Sequence, residues 1–138
     1  MRIKVRLDDG AYLPVRAHDT DAGADIRTPV KVRVPAHGSA VVSTGIHVET
    51  PHECVSLLMS KSGLNIRKGI TSEGVIDEGF TGEIVVKLYN NGEQPVMFER
   101  GDKISQLVVV PVLYPTYVEV DEISGGERGD SGYGSTGR

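Results

Sequence analysis

The chain has 138 residues, enough for one domain with a real hydrophobic core. Fifteen Lys and Arg against nineteen Asp and Glu give a net charge of −4 without a basic block, which argues against a nucleic-acid backbone as main partner but leaves a nucleotide open. The single cysteine, Cys54, excludes an internal disulfide and suits a reducing compartment, and no run of eighteen apolar residues offers a membrane span.

The first residues, MRIKVRLDDG, lack the apolar stretch of a signal peptide, so a soluble cytoplasmic domain is expected. Ile3, Val5 and Leu7 alternate with Lys4 and Arg6, the pattern of a half-buried strand. AGADI, residues 22–26, reads as small residues in a tight turn before Asp25. Val30, Val32 and Val34 alternate again, and AVVSTGIHVE and CVSLLMS follow as β-branched runs of strand length. SKSGL, residues 60–64, joins a cation, a hydroxyl and a glycine at the start of a short helix expected over 62–68. GVIDEGFTGEI, residues 74–84, reads as a glycine-bounded hairpin with Asp77 inside an otherwise apolar approach. EIVVKLYN gives another strand, and RGDKISQL a turn feeding the buried run ISQLVVVPVLYP. Seventeen glycines and seven prolines separate these runs, and no long 3.6-residue apolar stripe interrupts them. The fold class expected is all-β, a barrel or sandwich of the jelly-roll kind over residues 1–120. From residue 121 to 138 apolar density falls and glycine rises, as in an arm leaving the body.

Histidine–cysteine metal chemistry has no support. His18, His37, His47 and His52 lack HxxxH or HExxH spacing and read as ordinary surface or edge residues. The paired-cysteine signature of zinc nucleotide deaminases is missing too. Each remaining stretch has a plain reading. Asp25 and Asp77 suit turn caps, Lys61 and Ser62 a helix start, and the RGDK turn simple solvation. The tail RGDSGYGSTGR suits either a loose end or a phosphate-binding lid, because glycine, hydroxyls and arginine all favour phosphate oxygens.

Together, in this order and spacing, AGADI, SKSGL, GVIDEGFTGEI, RGDKISQL and the tail resemble the five motifs of the trimeric dUTP pyrophosphatases, the dUTPases. The resemblance covers residues 1–138. It implies a jelly-roll subunit in a homotrimer whose active sites are shared between chains, hydrolysing dUTP to dUMP and diphosphate with Mg²⁺. That reaction lowers dUTP and supplies dUMP for thymidylate synthesis. Asp77 would be the catalytic base that deprotonates the water attacking the α-phosphorus, and Asp25 would help hold Mg²⁺ through water. Lys61, Ser62, Gly63 and Gln106 would contact phosphates. Thr71 and the backbone around Gly74, Val75 and Ile76 would face the uracil, and Phe80 would pack under the deoxyribose. Arg128, Gly134, Ser135 and Thr136 of the arm would hold the outer phosphates, with Tyr133 stacked on the base.

Several positions depart from the commonest family pattern. Lys61 stands for the usual arginine, Ser60 for proline, Ser105 for alanine and Thr71 for asparagine, while Phe80 and Tyr133 exchange the usual Tyr and Phe. Two rivals remain in view. A dCTP deaminase shares the fold but needs a glutamate where this chain has Lys87, and a non-catalytic jelly-roll interaction protein would not need the retained carboxylates and arm.

Overall fold

Val32 and Val34 are buried on either side of exposed Arg33, and the same alternation recurs along Ser39–Val48, Ile84–Asn90 and Val96–Phe98 around one core. The computed structural model describes residues 1–127 and 129. Its strands are β1 (Val5–Leu7), β2 (Gly23–Arg27), β3 (Val32–Val34), β4 (Ser39–Val48) and β5 (Cys54–Met59), then β6 (Ile70–Thr71), β7 (Glu73–Ile76), β8 (Ile84–Asn90), β9 (Val96–Phe98) and β10 (Lys103–Pro111). One helix, α1, spans Ser62–Lys68 between β5 and β6, as expected. It buries none of its residues, and Leu64 alone packs partly against the core. Among the described residues no helix is long and apolar enough to cross a membrane.

The strands form a four-stranded sheet in the order β1-β4-β8-β6, a second in the order β2-β10-β5-β7, and the ribbon β3-β9. Every pairing between them is antiparallel. Val42, Ile46, Val86 and Leu88 from the first sheet meet Ile26, Leu58, Ile76, Ile104 and Leu107 from the second, with Val34 and Phe98 from the ribbon, in a single cluster. The mostly-β expectation holds. Of the alternating valines, Val30 lies outside this pattern, more than half exposed, because β3 begins only at Val32.

Two expectations need correction. AGADI is not a tight turn: residues 23–27 form β2, its small residues lying against β10. The segment 74–84 is not a paired hairpin, because β7 bonds to β5 whereas β8 bonds to β4 and β6. The chain changes sheet twice here, at Ser72 between β6 and β7 and again across residues 77–83. Both changes place main chain at sheet edges, and those edges carry most of the candidate site.

Candidate active site

Asp25 lies near the middle of β2, directly opposite Gln106 of β10. It is 6 % exposed, and a bare carboxylate at that depth would be costly. Two ammonium groups compensate: Lys103 Nζ approaches Oδ2 at 2.6 Å, and Lys61 Nζ bonds Oδ1. Burial alone would push the carboxyl up, but the hydrogen bonds and charges of Lys103 and Lys61 outweigh it and hold Asp25 below its ordinary value. Asp25 is therefore an ion-pair centre and not the cap of a turn. Gln106 donates from Nε2 to the Ser60 carbonyl at 3.0 Å, which sets its amide beside the start of α1. Its side chain lies across Gly23, where any β-carbon would overlap it. Ser62 and Gly63 are exposed at the first turn of α1, where helical N–H groups have no intrahelical partner. Lys61, Ser62, Gly63, Gln106 and Asp25 thus converge at one end of the β2-β10-β5-β7 sheet.

Three serines fasten that end. The Ser60 hydroxyl donates to the Ser72 carbonyl at 3.0 Å and accepts from the Ser72 N–H at 2.9 Å. The Ser72 hydroxyl meets the Ser105 hydroxyl at 2.8 Å, and Ser105 also donates to the Met59 carbonyl at 3.2 Å. Ser60 and Ser105, separate departures from the family pattern in the sequence, are thus two parts of one network around the sheet change at Ser72. The network joins β5, which leads into Lys61, to β10, which carries Gln106.

The second group of candidate residues lies along β7. Among the described residues this strand is the outermost of its sheet, so alternate N–H and C=O groups of Glu73–Ile76 point away from β5 with no described strand to take them. Gly74 sits opposite Leu58, and a β-carbon there would come within 3.0 Å of the leucine. Thr71 ends β6, half-buried, and accepts from the Asn91 amide at 3.4 Å. Ile76 is in the core, and the next residue, Asp77, is exposed. A β-turn closes from the Phe80 N–H to the Asp77 carbonyl at 3.2 Å, with Gly79 at φ 88° in its third position. Phe80 stands 48 % exposed with its ring folded over Gly82, where a β-carbon would lie 2.5 Å from the ring.

Thr71 and Gly74 lie near the Lys61 end, since Ser60 bonds Ser72 and Gly74 pairs with Leu58, but Asp77 stands apart from Asp25 and Gln106. Asp25, Gln106, Met59 and Glu73 stand in one row across the sheet, a span of three strand spacings or about 14 Å. Asp77 lies four residues beyond Glu73, a further displacement of about 13 Å along the strand. Arg128, Tyr133, Gly134, Ser135 and Thr136 lie outside the described residues.

Residues absent from the sequence reading surround Asp77. Glu78, next in the chain, accepts from Tyr114 Oη at 2.7 Å and from the Glu53 N–H at 3.0 Å, and pairs with His52 Nδ1 at 2.7 Å. The Tyr114 hydroxyl, His52 and the Glu53 N–H together pull the Glu78 carboxyl down to about 2, while Glu78 pushes the Tyr114 phenol up to about 12 and raises His52. On the far side of the turn, His47 Nδ1 contacts the Thr81 carbonyl at 3.0 Å and Nε2 the Asp8 carboxylate at 3.0 Å. His52 is an exposed surface histidine, as expected, and both it and His47 carry ion-pair contacts. Nothing in their spacing could have revealed this, since their partners lie in loops 26 or more residues away. Lys87 is exposed on β8, its ammonium 5.0 Å from the centre of the Tyr89 ring.

The dUTPase family profile matches residues 9–137. The deoxyuridine 5'-triphosphate nucleotidohydrolase of Clostridium acetobutylicum is 41% identical over 99% of this chain and 96% of its own length. That of Corynebacterium glutamicum is 44% identical over 97% of this chain and 93% of its own. Among solved structures, the dUTPase of Staphylococcus bacteriophage 80alpha with dUpNHpp superposes with a TM-score of 0.92 at 30% identity, covering 99% of both chains. A point mutant of the dUTPase from phage phi11 of S. aureus, which coordinates a structural Mg(II) ion, gives 0.82 at 28% identity over 91% of this chain and all of that one. An edge strand, a lysine–carboxylate cluster and an exposed aspartate at the end of β7 thus sit on a chain whose relatives match it nearly end to end, and this chain belongs to the dUTPase family.

Proposed function

We propose that the chain hydrolyses dUTP to dUMP and diphosphate, in active sites shared between the subunits of a homotrimer of jelly-roll protomers. The observation that carries the shared site is the separation of Asp77 from Asp25 and Gln106, which lie across the sheet and a further four residues back along the strand in the same chain. Closing a three-fold ring would bring β7 of one chain to the cluster of the next.

Within that site the roles follow from the geometry of each part. The free edge of β7 around Gly74, Val75 and Ile76 offers alternating donors and acceptors, which is what the edge of a uracil ring requires. Thr71 flanks that edge. Phe80, supported by Gly82, presents a ring face that would pack under a deoxyribose and leave a 2′-hydroxyl clashing and unpaired. Lys61, Gln106 and the backbone of Ser62 and Gly63 would bind phosphate oxygens by charge and by N–H donation. Asp77 would orient a water for attack on the α-phosphorus and take its proton. The arm, residues 121–138, would close over the phosphates of a neighbouring site through Arg128, Gly134, Ser135 and Thr136, with Tyr133 stacked on the base.

Mg²⁺ fits as an ion carried by the substrate. Among the described residues no group of three or more His, Cys, Asp or Glu side chains could cage a metal, and both Asp25 oxygens already face lysines. The ion would therefore keep several waters and take its ligands from the phosphates, with Asp25 reaching it only through water. When bound, the ion neutralises charge on the triphosphate.

The test is incubation with dUTP, dCTP, dTTP and UTP, each with Mg²⁺ and with a chelator, following diphosphate release. The reading expects release from dUTP alone and its loss on chelation. Equal release from UTP, or release of ammonia from dCTP, would reject it.

A further inference from the structure

Asp77 stands just past the last rung of β7, where Ile76 pairs with Ser56, so the sheet itself does not hold it. What holds it is the turn 77–80, whose corner residue is Glu78. Facing this turn is a second one, closed from the Cys54 N–H to the Pro51 carbonyl at 3.1 Å, with Glu53 in its third position at φ 56°, uncommon for a residue other than glycine. Glu53 is bonded on both sides: its N–H donates to Glu78, and its carbonyl accepts from the Val112 N–H at 2.9 Å. Tyr114, two residues further on, closes the circuit by donating its hydroxyl to Glu78. Three segments distant in sequence are tied at one carboxylate: the turn 51–54, the turn 77–80 and the segment 112–114. The last is the root of the arm, since β10 ends at Pro111 and residues 113–127 are exposed.

We infer that Glu78 and Tyr114 are positioning residues that fix the Asp77 turn to the root of the arm, so that the direction in which the arm leaves the body and the aim of the Asp77 carboxylate are set together. The inference rests on Asp77 being the base of the hydrolysis. A carboxylate at a turn corner can be displaced by an ångström without unfolding anything, and displacements of that size cost rate more than affinity. Tyr114 reports on the coupling because, among the described residues, Glu78 is the one hydrogen-bond partner of its hydroxyl, whereas β7 and both turns are closed by backbone bonds.

The experiment measures kcat and KM for dUTP, melting temperature and dUMP affinity in Glu78→Ala, Tyr114→Phe, the double variant and Asp77→Asn. The expected result is a loss in kcat of roughly ten-fold for Glu78→Ala and roughly three-fold for Tyr114→Phe, with KM and dUMP affinity unchanged. Tyr114→Phe should add nothing further once Glu78 is gone, because the two share one bond. Should Glu78→Ala fold poorly, Tyr114→Phe alone decides: a parental kcat in that variant overturns the inference. Independent, multiplying effects in the double variant overturn it too, as does a loss carried by KM. If Asp77→Asn abolishes turnover while Glu78→Ala and Tyr114→Phe remain parental, only this inference fails. If Asp77→Asn itself remains parental, the assignment of Asp77 fails and the inference with it.

Discussion

Asp25 and Phe80 depend on their neighbours in opposite ways, one through charge and one through space. Asp25→Asn leaves two ammonium groups facing each other without their counter-charge, and the expected loss is about 2 kcal/mol of stability at pH 7. Because the folded-state value of Asp25 is depressed, its contribution is full above its ordinary value of 3.8 and fades as the pH falls below it. Melting curves of parent and variant should therefore separate at pH 7 and draw together progressively as the pH falls below 3.8. Gly82 matters through the room it leaves. A methyl there would displace the Phe80 ring, so Gly82→Ala should raise UTP hydrolysis relative to dUTP much as Phe80→Ala does, measured as a ratio of kcat/KM values. Asp25 and Asp77 stand out in the sequence beside small residues and glycines, while Phe80 enters only through the resemblance to the dUTPases. Glu78, His52 and Tyr114 could not be read there: a glutamate after an aspartate looks like any solvated turn until loops 25 and 36 residues away are brought against it.

Strands with clean alternation were legible because a period of two has only one way to bury its apolar half. β4 and β8 follow their residues closely, with Val42, Ile46, Ile84, Val86 and Leu88 inward and Val41, Val85 and Lys87 outward. β2 was not legible, since Gly-Ala-Asp is poor in strand propensity and its extended form rests on pairing with β10, where Gln106 lies across Gly23. The supposed hairpin at 74–84 failed for a related reason: glycines mark a reversal of the chain but do not say which sheet receives the second strand. The serine network holds these sheet-changing elements together. Ser105 is fully buried and Ser72 nearly so, and Ser105→Ala would leave the Ser72 hydroxyl without its partner. The expected cost is about 1–2 kcal/mol, read as a fall in melting temperature of several degrees. A melting temperature at or above the parent's would show that the network is dispensable.

For the whole molecule, the separation of Asp77 from Asp25 and Gln106 within one chain favours a site shared between subunits. The account therefore makes assembly part of catalysis. Light scattering should give about three times the 14.8 kDa of a single chain. Mass alone does not show that sites are shared, but mixed assemblies do. Asp77→Asn and Gln106→Ala chains each lose one half of every site, and their pure trimers should both be nearly inactive. Unfolded together in equal amounts and refolded, they form mixed trimers in which some sites take an intact β7 from one chain and an intact Gln106 cluster from the other. Random assembly predicts recovery of about a quarter of the parental dUTP turnover. If the mixture is no more active than the two pure variants, although mass measurements confirm mixed trimers, both halves act within one chain and the shared site is contradicted.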